Sequence, residues 1–189
     1  NNTASWLASK GIKSKFITVD PIDGHVLKVD GVEDAILATC CHPDLRKRFK
    51  NVELFDTCET HESGLSGGTT TATRTPSIAI HLGYYDIYYF GCEGSFSNGL
   101  THSDRNEGYD SNTLVIRAGN DDYVTNINYL MQAVQLADII RLAPDVFHSM
   151  SGGLLDGVVS NPDTWEVVAV SDGLKAHLES VNGSCGLYD

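Results

Sequence analysis

The sequence predicts an α/β domain with a mostly parallel sheet and helices on both faces. Three observations carry this. Short apolar runs of strand length alternate with helical patterns, the order that parallel crossover units impose. A Gly-Gly-Thr-Thr-Thr stretch at 67–71 opens a helix after one such strand. The 41% hydrophobic and 20% charged composition of the 189 residues is that of a chain able to bury a core.

In chain order, Thr3 to Lys10 reads as a short helix stopped by Gly11, and Lys15 to Asp20 as a strand ended by Pro21. Ala35 to Cys40 is apolar throughout and short, as a buried parallel strand requires. Pro43 opens a short helix to Phe49, and Val52 to Phe55 is the next strand. A polar loop, 56–65, leads to the glycine-threonine stretch and a helix that Gly83 closes. Asp86 to Phe90 is a strand running on to Glu93, and the long polar segment 94–112 has the length of a lid or binding loop. Thr113 to Arg117 is a strand. The strongest helix is expected from Tyr123 to Arg141, with Ile127, Leu130, Val134, Ala137 and Ile140 on its inner face. Val146 to His148 is a last core strand before the Ser151-Gly152-Gly153 turn, and Thr164–Val170 and Gly173–Val181 supply a further strand and helix. Residues 1–155 are expected to form the main α/β domain and 156–189 an extension packed on it.

The net charge of −12, without a basic stripe, argues against nucleic acid and anionic membranes as partners. No run approaches the roughly 20 apolar residues of a membrane span. Five cysteines without paired spacing suit a reducing, cytoplasmic setting. Cys58-x-x-His61 and Cys41-His42 lack the second pair a metal site needs.

The candidate chemistry centres on Ser66, Gly67, Gly68, Thr69 and Thr70. Small residues at a helix N-terminus leave backbone N–H groups open to a phosphate, and threonine hydroxyls add donors. The plainer reading is a helix cap. No Walker or dinucleotide motif is present. Asp20 ends a strand, where open α/β sheets place ligands, and is read either as a ligand for Mg²⁺ or a ribose hydroxyl, or as a turn-capping residue before Pro21. Glu93 follows a strand end and suits a base, metal ligand or acceptor. His102, beside Asp104 and Arg105, has a side chain able to take a proton near neutral pH as a general base; a solvated loop histidine is the alternative.

Two blocks resemble the MptE-like family, which holds archaeal 6-hydroxymethylpterin diphosphokinases and flagellin-modifying Maf glycosyltransferases. The first is Gly11-Ile12 with Phe16 through Asp20-Pro21. The second runs from Gly67-Gly68-Thr69 through Leu82-Gly83 to Ile87 and Gly91, followed by Thr101-His102 and the Ser149–Gly153 turn. The second block also resembles bacterial sialyltransferases that use a cytidine-monophosphate sugar. The resemblance implies a Rossmann-like fold and a nucleotide or nucleotide-sugar partner. It implies glycosyl transfer from a nucleotide-activated sugar, or Mg²⁺-dependent pyrophosphoryl transfer from ATP to 6-hydroxymethylpterin; an incomplete, non-catalytic member is the third reading. Asn2 matches a family Asn near the nucleotide. The family's first strand and Gly-Pro-Ser-type loop have no counterpart here, so the chain is expected to be N-terminally truncated relative to it. Glu93 stands where the family usually has Asp, and Pro76 lies inside the expected helix.

Overall fold

The computed structural model describes residues 2–21, 29–57, 65, 67–96, 113–172 and 175. The chain divides into two compact units, Asn1–Tyr84 and Tyr85–Asp189. Together they hold both helices and parallel strands, so the α/β class read from the sequence stands.

Unit 1 contains α1 (Asn2–Ser9), β1 (Lys15–Thr18), β2 (Asp34–Ala38), α2 (Pro43–Arg46), β3 (Asn51–Phe55) and α3 (Thr71–His81). Its strands lie in the order β1-β2-β3, all parallel, with Phe16 opposite Ala35 and Leu37 opposite Leu54. The continuous apolar run of β2 has its cause here: a central parallel strand offers no solvent face, and Ala35, Ile36, Leu37 and Ala38 are all buried. Leu45, Phe49 and Phe55 complete that core, with Phe16 stacked on Phe49 at 5.5 Å between ring centroids.

The helix expected over 43–49 ends earlier, at Arg46. The His42 ring caps its start, Nδ1 accepting the Asp44 N–H at 3.2 Å. α3 continues through Pro76, which is buried. Its end is closed by the Gly83 N–H donating to Ile80 and the Tyr84 N–H to Ala79, at 2.9 and 3.0 Å.

Unit 2 contains β4 (Ile87–Tyr89), β5 (Thr113–Ala118), β6 (Asp121–Asn126), α4 (Ile127–Leu142), β7 (Phe147–Ser149), α5 (Gly153–Ser160) and β8 (Glu166–Val170). β4 and β7 pair in parallel, and β6-β5-β8 form an antiparallel sheet. The helix expected to begin at Tyr123 begins at Ile127 instead. Residues 121–126 form β6, joined to β5 through the two-residue Gly119-Asn120 turn. Asn126 fixes the boundary by accepting the Tyr129 N–H at 2.9 Å as the N-cap of α4. The buried stripe of α4 is also rotated from the expected one. Ala133 and Leu136 join Leu130, Ala137 and Ile140 inside, while Ile127 is exposed and Val134 half-buried.

Position 156, expected to begin an extension, lies within α5, and β8 is hydrogen-bonded into the sheet of unit 2. The expected helix over 173–181 falls largely outside the described residues. No described helix is long and apolar enough to cross a membrane.

Candidate functional site

In unit 1 the carboxyl end of β1 meets the start of α3. Thr71 Oγ1 accepts the Val19 N–H at 3.3 Å, across 52 residues of sequence. Next to this contact, the fully buried Thr18 hydroxyl holds Asp20. Thr18 Oγ1 accepts the Asp20 N–H and donates to Asp20 Oδ2, both at 3.1 Å. The carboxylate is thereby tethered at the sheet edge and stays half-exposed. Cys40 and Cys41 direct their thiols at the Val19 and Thr18 carbonyls, at 3.4 and 3.5 Å. Burial, and then the neighbouring Cys40, push the Cys41 thiol up to about 11, which favours a packing and hydrogen-bonding role. With His42 engaged as a helix cap, the Cys41-His42 pair is accounted for structurally.

The start of α3 is self-capped. Thr70 Oγ1 accepts the Thr73 N–H at 3.2 Å, and Thr73 Oγ1 accepts the Thr70 N–H at 3.0 Å, a reciprocal capping box. Two of the four N-terminal donors are thus satisfied by side chains. Thr71 and Ala72, at the first two helical positions, carry the donors that helix geometry leaves without an intrahelical acceptor. The cap therefore leaves the Thr71 and Ala72 N–H groups as the ones an anion could meet at this helix end.

Arg74 is a member of this corner that the sequence reading passed over. Its Nη1 donates to the Leu65 carbonyl, and its Nε is buried with no hydrogen-bond partner among the described residues. Gly67 lies directly against it, since a Cβ there would come within 3.0 Å of Arg74 Cδ. A cation one turn behind a Gly-Gly-Thr stretch was the available signal. Gly67 and Thr69 are exposed, and Gly68 and Thr70 half-buried. The corner thus joins N–H groups, threonine hydroxyls, a guanidinium and a tethered carboxylate, a set suited to a phosphate with an adjacent hydroxyl or divalent cation.

Glu93 belongs to unit 2, where its side chain is exposed. Its backbone carbonyl accepts the Leu155 N–H at 3.0 Å, and Ser95 Oγ accepts the Leu154 N–H at 3.3 Å. Asp156 accepts the Gly152 N–H at 3.1 Å and the Ser149 hydroxyl. The α5 terminus is consequently sealed by its own unit. Gly153, at φ 66°, is required there because a Cβ would stand 2.9 Å from the Glu93 carbonyl oxygen. His102, Ser66 and the Cys58–His61 pair lie outside the described residues, as does the side chain of Asn2, which begins α1.

No protein-family model and no curated protein sequence matches the chain. Among solved structures, it is similar to the Maf glycosyltransferase from Magnetospirillum magneticum AMB-1. The TM-score is 0.56 and the identity 20%, over 95% of this chain and 31% of that one. The chain thus spans about a third of that protein's length. What the two share at this identity is the fold, an α/β architecture of the Rossmann-like kind.

Proposed function

We propose that this chain serves a nucleotide-dependent transferase, and that the reaction is glycosyl transfer from a nucleotide-activated sugar. The observation that carries the reading is the Val19–Thr71 hydrogen bond, which brings the open donors of α3 to the strand end that tethers Asp20. The fold similarity to a Maf glycosyltransferase supports the glycosyl reading at a coarse level.

In such a transfer the acceptor hydroxyl loses its proton and its oxygen bonds to the sugar's anomeric carbon, the bond from that carbon to the phosphate oxygen breaks, and negative charge grows on the departing nucleoside phosphate. Donors fixed before the reaction stabilise that charge without reorganising. The Thr71 and Ala72 N–H groups and the Arg74 guanidinium are the donors assigned this role, with the Gly67–Thr70 stretch beside the phosphate. Asp20 binds a ribose hydroxyl or, where the donor carries Mg²⁺, supplies the single carboxylate that such a hard cation takes alongside phosphate oxygens. His102 keeps its assignment as the base that takes the acceptor hydroxyl's proton, and Glu93 its assignment as a base, metal ligand or hydrogen-bond acceptor. Unchanged turnover in a His102→Ala variant would remove the base assignment without touching the nucleotide site.

Thermal shift with cytidine, uridine and guanosine mono- and diphosphates, and with ATP in the presence and absence of Mg²⁺, tests the proposal. A ligand at about 100 times its Kd adds about 2.7 kcal/mol of stability. A rise with one pyrimidine or guanosine nucleotide is expected. A rise with ATP and Mg²⁺ alone would instead favour pyrophosphoryl transfer, and no rise with any nucleotide would leave the non-catalytic reading.

A further inference from the structure

We propose that unit 2 carries a second small-molecule site, built on the β4–β7 pair, for a neutral polyhydroxylated ligand. A shallow, solvent-open cleft of about 470 Å³ lies beside this pair. Pro144, Phe147 and Val159 give it apolar wall, and Tyr88, His148 and Asp156 give it aromatic and polar faces. Tyr88 and His148 are direct cross-strand partners, their rings stacked at 4.8 Å between centroids and 29° between planes. Tyr88 is 52% exposed, an aromatic face left open at the rim.

Asp86 organises the polar part. It is hydrogen-bonded to the Tyr88 phenol, which raises that phenol's pKa, and its Oδ1 lies 3.3 Å from His148 Nε2. That carboxylate faces Nε2, which leaves Nδ1 as the ring nitrogen open to a ligand. Asp156, which also lines the cleft, accepts from the Ser149 hydroxyl and the Gly152 N–H. A carboxylate has about four lone-pair sites, so capacity for further donors remains.

The charge of this lining selects the ligand class. A carboxylate lines the cleft, a second stands behind His148, and no Lys or Arg is among the lining residues. A phosphate or carboxylate ligand is therefore disfavoured, whereas hydroxyl groups can hydrogen-bond to Nδ1 and donate to Asp156 while a C–H face rests on Tyr88. The site uses residues of unit 2 alone and does not depend on nucleotide binding in unit 1.

The test is a long-range ¹H–¹⁵N spectrum of the histidine rings during titration with methyl α-glucopyranoside, a neutral probe, and separately with glucose 6-phosphate. A saturable shift of His148 Nδ1 with the neutral glycoside is expected, together with at least about tenfold weaker binding of the phosphorylated sugar. Tyr88→Ala should weaken glycoside binding about tenfold, and Asp86→Asn, which removes the charge facing Nε2, should move the His148 ring-nitrogen shifts. Both side chains are exposed, and an unchanged thermal midpoint verifies the folded state of each variant. No His148 shift, equal binding of the anionic sugar, or full retention of binding in Tyr88→Ala would overturn the proposal. Nucleotide thermal shifts on the same sample keep this outcome separate from that of the unit 1 site.

Discussion

Val19 and Thr71 are joined by a 3.3 Å hydrogen bond from the strand backbone to the first side chain of α3. That bond converts two local features, a strand end and a helix start, into one corner. It also means that Thr71 serves packing and site geometry together, because its hydroxyl holds the strand while its N–H faces the helix entrance.

The capping box is the stability element of this corner. Thr70→Ala removes the acceptor of the Thr73 N–H and is expected to cost about 1 kcal/mol, read as a lower urea midpoint. Thr70→Asp keeps an acceptor at the cap and adds charge favourable to the helix dipole, so it should recover most of that loss.

Arg74→Ala is expected to lower nucleotide affinity about tenfold or more, the effect of losing a charge-assisted hydrogen bond of about 1.5–3 kcal/mol. The Leu65 contact is lost as well, so affinity by calorimetry is read beside the denaturant midpoint. Affinity equal to that of the parent would remove Arg74 from the site.

How much of this was legible follows from what a linear pattern encodes. The apolar run at 35–38 and the Gly-Gly-Thr-Thr-Thr helix start were readable because period and capping are local. The β6 strand was missed because Tyr123, Val124 and Thr125 precede a helix with no break in hydrophobicity. The deciding signals were the two-residue Gly119-Asn120 turn and the Asn126 cap. Partners distant in sequence were not readable at all. Asp86 meets His148 through the parallel pairing of β4 and β7, and Asp20 gains its place through the buried Thr18 hydroxyl, which no spacing rule announces.

Gly153→Ala should destabilise unit 2 by about 2 kcal/mol or more. It combines a left-handed φ of 66° with a Cβ placed 2.8 Å from Glu93 Cβ and 2.7 Å from Ser95 Oγ. Gly11→Ala is the control. Its φ of 71° is equally unfavourable, but nothing lies within 4 Å, so only the conformational cost of about 1–2 kcal/mol is expected. Equal losses at the two positions would contradict the close packing of the 93–95 loop on α5.

Burial pushes both Cys41 and Cys92 up to about 11. An unfolded thiol ionises near pH 8.5, so between about pH 9 and 11 the folded chain holds protons that the unfolded chain has released. Stability therefore falls as pH rises through that window. Buried Tyr89, also shifted upward, adds to the fall above about pH 10. Denaturant midpoints measured from pH 8 upward should decline, and the Cys41→Ala/Cys92→Ala pair should flatten the first part of the decline. At pH 8 a thiol reagent should modify exposed Cys40 well ahead of Cys41.

The central claim, that the α3 corner holds a nucleotide phosphate, is tested most directly by amide NMR during nucleotide titration. Saturable downfield shifts of the Thr71 and Ala72 amides are expected, lost in Arg74→Ala, with Thr73 shifting less because its N–H is already committed to Thr70. Saturable nucleotide binding that leaves the Thr71 and Ala72 amides unmoved would contradict it.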